Sequence, residues 1–378
     1  MKIFENIIGQ PHVTTILQDA VNAAHNNFET QEMTHSWLFT GPPGSGRSIA
    51  AAAFAAALVC PNNGCGKCVD CETAMTGSHV DIEIVKTEGI SIKVDDIREL
   101  INRAAWAPSL SNWRIVIIAD AERLTEAAAN ALLKAIEEPN SQTIWFLCSP
   151  SITEILPTIR SRCRLLQLRT PSHESIVKLL VERDKIELDL ADQAARISQG
   201  HIGRAKYMAQ NPETISRRKR ILELVLNLKT TSDAFKVASE IINITSEDLN
   251  SNSVNDSNEA ENLKNAWQGT NRRLISGGSK AIKDLEKVQK SRQSRASRDS
   301  IDNALLDIAS IYRDAMLLKF SENAPLINSD LEVGLISLAR KTPENILKSL
   351  QTVLNARNTL EFNGAQTILL EELTSSLI

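Results

Sequence analysis

A short apolar run, Ser36–Thr40, leads directly into Gly41-Pro42-Pro43-Gly44-Ser45-Gly46-Arg47-Ser48, and an alanine-rich helical pattern follows at once. No other segment restricts the fold so tightly. Glycines at this spacing let backbone N–H groups turn inward on one anionic oxygen, and the following helix adds the positive end of its dipole. Strand, loop and helix in that order are the setting a phosphate-binding loop requires. A ligand-free Gly/Pro turn is the plain alternative. Ser48 is placed to reach a Mg²⁺ ion. One position departs from the pattern, because Arg47 stands where the loop's lysine belongs. A planar guanidinium does not replace a compact ammonium freely between phosphates. The strand that should supply acidic partners, Ile115–Ile118, ends in Ala119-Asp120. Only one carboxylate is then expected there, with Glu122 turned away. Both departures point to a site for ATP and Mg²⁺ that hydrolyses poorly.

Short apolar runs at Ser36–Thr40, Asp81–Val85, Arg114–Ala119, Thr143–Ser149 and Arg164–Leu168 alternate with helical patterns. Those patterns cover Val13–Ala24, Ile49–Val59, Asp95–Ala105 and Thr125–Glu138. The alternation predicts an α/β core built on a parallel five-stranded sheet. Beyond Pro171 the strands stop. Ser172–Arg183, Leu190–Ser198 and Ala205–Gln210 read as short amphipathic helices, and from Pro212 the pattern is helical to the end. The expected division is a nucleotide-binding core over 1–169, a small helical lid over 170–212 and an all-helical domain over 213–378. A polar loop at about 245–280 interrupts that last domain. After it, Ile301, Ala304, Leu305, Ile308, Tyr312 and Ala315 recur at three- and four-residue steps, predicting one buried helical stripe.

Four of the six cysteines, Cys60, Cys65, Cys68 and Cys71, fall within twelve residues. Overlapping CxxC spacing with one more thiol upstream can surround a tetrahedral ion, and four thiolates leave no open coordination position. Zn²⁺ in a structural role is expected. His79 reads as a solvated loop histidine rather than a fifth ligand. The 42 basic and 46 acidic residues give a net charge of −4. A chain dedicated as a whole to nucleic acid is therefore excluded, and any such contact must be local. Lys287–Arg298 (KVQKSRQSRASR) is the candidate for touching template phosphates, against the plainer reading of a solvated helix face. No run of about 18 apolar residues is present, and the start lacks the features of a signal peptide. No membrane association and a cytoplasmic location are the expectations.

The segments FENIIGQPHV, GPPGSGRS, the four-cysteine insert after the first core helix, LTEAAANALLKAIEEP (Leu124–Pro139) and LPTIRSRC (Leu156–Cys163) together resemble the bacterial DNA polymerase III clamp-loader subunits, the gamma/tau and delta-prime group of AAA+ proteins. The resemblance is dense to about residue 210 and architectural beyond. It implies an AAA+ P-loop core with a helical lid and a C-terminal collar that joins subunits in a hetero-pentameric ring. It implies as partners other loader subunits (gamma/tau and delta), the sliding clamp and primer-template DNA without sequence preference. It assigns Ile7–Gln10, with Ile8 and Gly9 at its centre, to an adenine pocket, and Gly41, Gly44, Ser45, Gly46, Arg47, Ser48 and Asp120 to phosphate and metal. Ser149 or Ser151 takes the sensor-1 position, and Arg162 is an arginine finger acting on a neighbouring subunit. The second sensor arginine is displaced, with Gly203 on its position and Arg204 one later. An altered loop with a retained finger is the profile of delta-prime, a stator rather than a motor. An active gamma/tau-type ATPase is the alternative, and a stand-alone zinc adaptor is a further one. No palm-type carboxylate cluster for polymerisation is found in the sequence.

Overall fold

The computed structural model describes residues 1–25, 33–86, 91–247, 278–321, 325–361 and 365–378. They fall into two compact units, Met1–Gln210 and Asn211–Ile378. In the first unit, β1 (Ser36–Thr40), β2 (Ile82–Val85), β3 (Arg114–Ile118), β4 (Thr143–Ser149) and β5 (Arg164–Gln167) form one sheet in the order β2-β3-β4-β1-β5. Every pairing is parallel. Parallel neighbours need crossovers, and helices supply them. The expected α/β core is therefore the one observed, with strand ends differing by a residue.

Side chains alternate between the faces with the period of two that a strand imposes. Trp37, Phe39, Ile115, Ile117 and Phe146 pack under α1 (Pro11–His25) and α2 (Arg47–Val59), with Phe54 stacked on Phe146 at 4.9 Å. Leu38, Val116, Ile118, Trp145 and Leu147 face the opposite layer, where α4 (Val94–Ala104) and α5 (Glu126–Glu137) lie. Two short helices were not expected from the sequence. They are α3 (Val69–Thr76) behind the cysteines and α6 (Pro157–Arg160) before β5. Three helices complete the unit: α7 (His173–Glu182), α8 (Leu188–Ile197) and α9 (Ile202–Gln210).

One buried carboxylate organises the edge of the sheet. Asp81, fully buried, accepts backbone N–H groups from Ser109, Leu110 and Ser111, the last two at 2.8 Å. Burial pushes its pKa up, but these donors outweigh burial and hold it below the usual aspartate range.

The second unit is all helical among its described residues. It contains α10 (Glu213–Leu226), α11 (231–247), α12 (Gly278–Phe320), α13 (Glu332–Ala339), α14 (Pro343–Glu361) and α15 (Gln366–Ser376). The predicted stripe from Ile301 to Ala315 is buried throughout. The loop expected at about 245–280 lies mostly outside the described residues. Within the stripe sits a polar network that the apolar pattern does not announce. Arg218 of α10 donates to Asp307 at 2.8 Å and also to Asn328, while Asn328 donates to Ser310 and Asp314 at 3.0 and 2.8 Å. All five side chains are buried. Each is satisfied by another, which ties α10 and the segment before α13 to one register of α12.

Two measurements test these arrangements. Arg218→Ala leaves the Asp307 charge buried without its partner, and urea titration of the chain should show a loss of about 3–5 kcal/mol. Unchanged stability would remove the network as a determinant of register. The Asp81 contribution is complete above the ordinary aspartate value of about 3.9 and is lost as pH falls through the lower folded value. Asp81→Asn should therefore destabilise the chain at pH 7 by about 1–3 kcal/mol. The gap to the unaltered protein should shrink on acidification, and a gap independent of pH would refute the assignment.

Candidate nucleotide and metal sites

The loop after β1 lies in the middle of the sheet, because β1 pairs with β4 on one side and β5 on the other. Gly44 has φ +81, and a Cβ there would stand 2.3 Å from the His201 ring. Only glycine lets the lid come so close. The Ile202 N–H donates to the Gly44 carbonyl at 3.3 Å, so main chain fastens main chain. Gly41 is as confined, with the Leu168 carbonyl 2.6 Å from where a Cβ would be. Gly46 precedes α2, and Ser48 is exposed in its first turn. Ser45 is buried, and its hydroxyl has no hydrogen-bond partner among the described residues.

Arg47 turns back on its own loop, where its Nη1 donates to the Gly41 carbonyl at 2.7 Å. Asp120 stands at the end of β3, as expected. Glu122 corrects the expectation, because it does not turn away into solvent. Its Oε2 is buried without a hydrogen-bond partner. Burial raises its pKa, the Asp120 charge raises it further, and Arg47 opposes both. The same three charges act on Cys148, whose thiol burial pushes up to about 12. A second carboxyl group therefore remains near Asp120, in a desolvated place that favours its neutral form. Ser149 lies opposite Thr40 in the parallel register and donates to the Ser151 carbonyl at 2.9 Å. The Ser151 hydroxyl is engaged with Thr153. Of the two sensor-1 candidates, Ser149 is the one beside the loop.

The Ile7–Gln10 strap joins this ensemble. The Gln10 side chain accepts from the Arg169 N–H at 3.0 Å and donates to the Arg169 carbonyl. Gly9 packs against Pro171 and Ser175, and Ile8 is half-buried. Gly203 lies in the first turn of α9, and His201 caps that helix by accepting the Arg204 N–H on Nδ1 at 3.1 Å. Burial, with Arg204 and Arg47 adding to it, holds the His201 pKa below its ordinary value, which suits an imidazole that must accept. No sequence signal marked His201. The structure thus brings strap, glycine loop, lid and acidic strand end together.

Arg162 is elsewhere on this unit, just past α6. Its Nε donates to Glu137, the last residue of α5, and its Nη1 donates to the Thr158 carbonyl at 2.8 Å. Arg160 is exposed and has no side-chain partner among the described residues, whereas Arg164 lies 4.9 Å over the Trp37 ring. These different settings separate three arginines that sequence position alone confuses.

The four thiols converge. The Sγ atoms of Cys60, Cys65, Cys68 and Cys71 lie within 4.8 Å of one another, with Cys60 3.7 Å from Cys65 and 3.6 Å from Cys68. Sulfurs about 2.3 Å from a shared tetrahedral ion would be about 3.8 Å apart, while a disulfide needs about 2.05 Å. The separations fit one metal ion and no disulfide. Backbone N–H groups of Asn62, Cys65, Gly66 and Cys71 point at Cys60, Cys71 and Cys68 sulfurs at 3.3–3.5 Å, as thiolates require. The N–H groups of Lys67 and Cys68 draw the Cys65 thiol down to about 7. Gly64, at φ +76, lets this turn press on Ile3, whose N–H donates to its carbonyl. His79 is not among the ligands, and it is not solvated as expected. It is buried, accepts the Asp81 N–H on Nδ1 at 3.1 Å and faces Asp70 at 3.6 Å. In the second unit, Lys290 of the basic stretch is exposed and Arg295 and Arg298 are half-buried, while Lys287 and Arg292 lie outside the described side chains. No helix among the described residues is long and apolar enough to cross a membrane.

Residues 16–172 match the family model described as DNA polymerase III, delta subunit. The delta' subunit of Bacillus subtilis DNA polymerase III is 30% identical over 57% of this chain and 64% of its own length. The gamma/tau subunit of Mycobacterium tuberculosis is 35% identical over 49% of this chain and 32% of its own. The delta' subunit of Pseudomonas aeruginosa is 36% identical over 34% and 41% respectively. The chain thus spans about a third to two thirds of the length of these curated relatives. Among solved structures, a gamma subunit-related protein of Thermotoga maritima aligns with 15% identity and a TM-score of 0.43, covering 95% of this chain and 97% of that one. Both kinds of subunit lie among the relatives, and over the stretch it shares with them this chain is similar to the clamp-loader subunits of DNA polymerase III.

Proposed function

We propose that this chain is a delta-prime-type subunit, which helps load the sliding clamp onto primed DNA within a ring of gamma/tau and delta partners. It hydrolyses ATP poorly itself and lends Arg162 to the nucleotide site of a neighbour. The observation that carries this reading is the contrast between its two arginines. Arg47 bonds the carbonyl of its own loop, whereas Arg162 is held at the surface, on a segment away from that loop. A guanidinium brought to a neighbour's γ-phosphate stabilises the charge that develops there during transfer. The competing motor reading draws on Glu122, which keeps a second carboxyl group near Asp120. Burial raises its pKa and so disfavours the charged form that would bind Mg²⁺. The four-cysteine cluster holds Zn²⁺ and secures the C-terminal end of α2 without taking part in chemistry.

Arg162→Ala in a reconstituted loader tests the first part. If the ring still assembles, the neighbour's turnover on primed DNA and clamp should fall on the order of a thousandfold. The assembly should lose that site's share of hydrolysis, and undiminished hydrolysis and loading would remove the finger. For the metal, elemental analysis of protein purified without added zinc should find one equivalent. Cys71→Ser should lose it and lower the melting temperature. A metal-free protein of the same stability would end the zinc reading.

A further inference from the structure

Glu137 stands where helix physics disfavours it. It is the last residue of α5, and a carboxylate at a helix C-terminus meets the negative end of the dipole, where lysine, arginine or histidine is preferred. Its side chain is 43% exposed, and among the described residues its carboxylate is engaged by Arg162 alone. The guanidinium is bound at two of its three nitrogens. Nε goes to Glu137, while Nη1 goes to the Thr158 carbonyl at 2.8 Å and the Ser161 hydroxyl at 3.2 Å. Nη2 makes no hydrogen bond among the described residues. The parts that hold these nitrogens are themselves anchored. Ile159 of α6 and Ile136 beside Glu137 are buried in one apolar cluster with Leu132 and Ile155. The distance from the helix end to the arginine stem is therefore set by core packing and not by two loose side chains.

We propose that Glu137 is the positioning residue for Arg162. It holds Nε of the guanidinium and leaves Nη2 for a phosphate oxygen of a nucleoside triphosphate held by the adjoining subunit. An unrestrained arginine must lose rotamer freedom when it meets that phosphate. Here much of the loss is already met in the free chain, so Glu137 favours the charge-developing state and not ground-state nucleotide binding. The carboxylate also draws the guanidinium only modestly at this exposure, so the arginine remains able to engage a more highly charged phosphate. The inference rests on the reading of Arg162 as a donor across a subunit boundary.

The experiment is steady-state ATP hydrolysis by the full loader on primed DNA and clamp. It compares the unaltered chain, Glu137→Gln, Glu137→Asp, Arg162→Ala and the double variant Glu137→Gln/Arg162→Ala. Glu137→Gln keeps the shape and removes the charge. It should lower kcat for the Arg162-dependent share about tenfold or more, with KM for ATP within about twofold. Glu137→Asp should recover part of that loss, and the double variant should be no slower than Arg162→Ala, since both remove one device. Full turnover in Glu137→Gln beside a slow Arg162→Ala overturns the positioning role and leaves the finger intact. Losses that add in the double variant also overturn it, because Glu137 then acts without Arg162. An intact ring in which Arg162→Ala is fully active overturns both readings.

Discussion

The burial of α2 on every side is the constraint on which the first unit depends. From Ala50 to Val59 each residue is buried, and seven of the ten are alanine. A helix enclosed in this way needs small side chains wherever the sheet, α1, α3 and the N-terminal segment approach, because interiors are close-packed and tolerate neither added bulk nor voids. Phe54 fills the space against Trp37 and Phe146. Fixed so firmly, α2 carries the phosphate loop at its first turn and Cys60 just past its last. The two candidate sites are thus opposite ends of one rigid element. The four thiols, once joined by a metal, would hold one end against Ile3, and the lid presses on the other at Gly44.

At the glycine loop, each contact has main chain on at least one side. Gly44 accepts from Ile202, Gly41 accepts from Arg47, and the Arg169 backbone is gripped by Gln10. An arginine at position 47 fits the fold because its guanidinium finds a carbonyl within reach. The same bond means that any anion entering the loop would compete with Gly41 for this cation. Ser45 and Glu122 press in the other direction, since buried polar atoms without partners are costly and favour any water, ion or ligand that satisfies them.

The sheet, its flanking helices and the thiol cluster were legible in the sequence because each rests on local patterning: alternation of apolar runs, glycine spacing, and CxxC spacing. What was not legible depends on three-dimensional company. Glu122 follows Asp120 by two residues and reads as leaving the site, yet a short turn at Ala121–Arg123 brings its carboxyl group back inward. His79 looks like a loop histidine, and only the fold shows Asp81 and Asp70 beside it. Arg218, Asp307 and Asn328 are far apart in sequence and polar, so no periodicity could place them together in a helical core. His201 carries no motif, and its role as cap and stopper follows from a glycine over 150 positions earlier.

The placement of Arg162 brings these threads to one physical contrast. A cation can stabilise developing charge only if moving toward it costs little, and that requires a holding partner weaker than the target. Glu137 at the surface meets this requirement, because solvent screens an exposed pair and leaves it worth about 1 kcal/mol or less. Arg47, half-buried in its loop, meets it less well, since its carbonyl partner lies where water screens less and the bond is correspondingly stronger. Two arginines on one unit are therefore poised differently by their surroundings. The more buried one is committed to the architecture of its own chain, and the exposed one, held more weakly, is the one we propose for a neighbouring subunit.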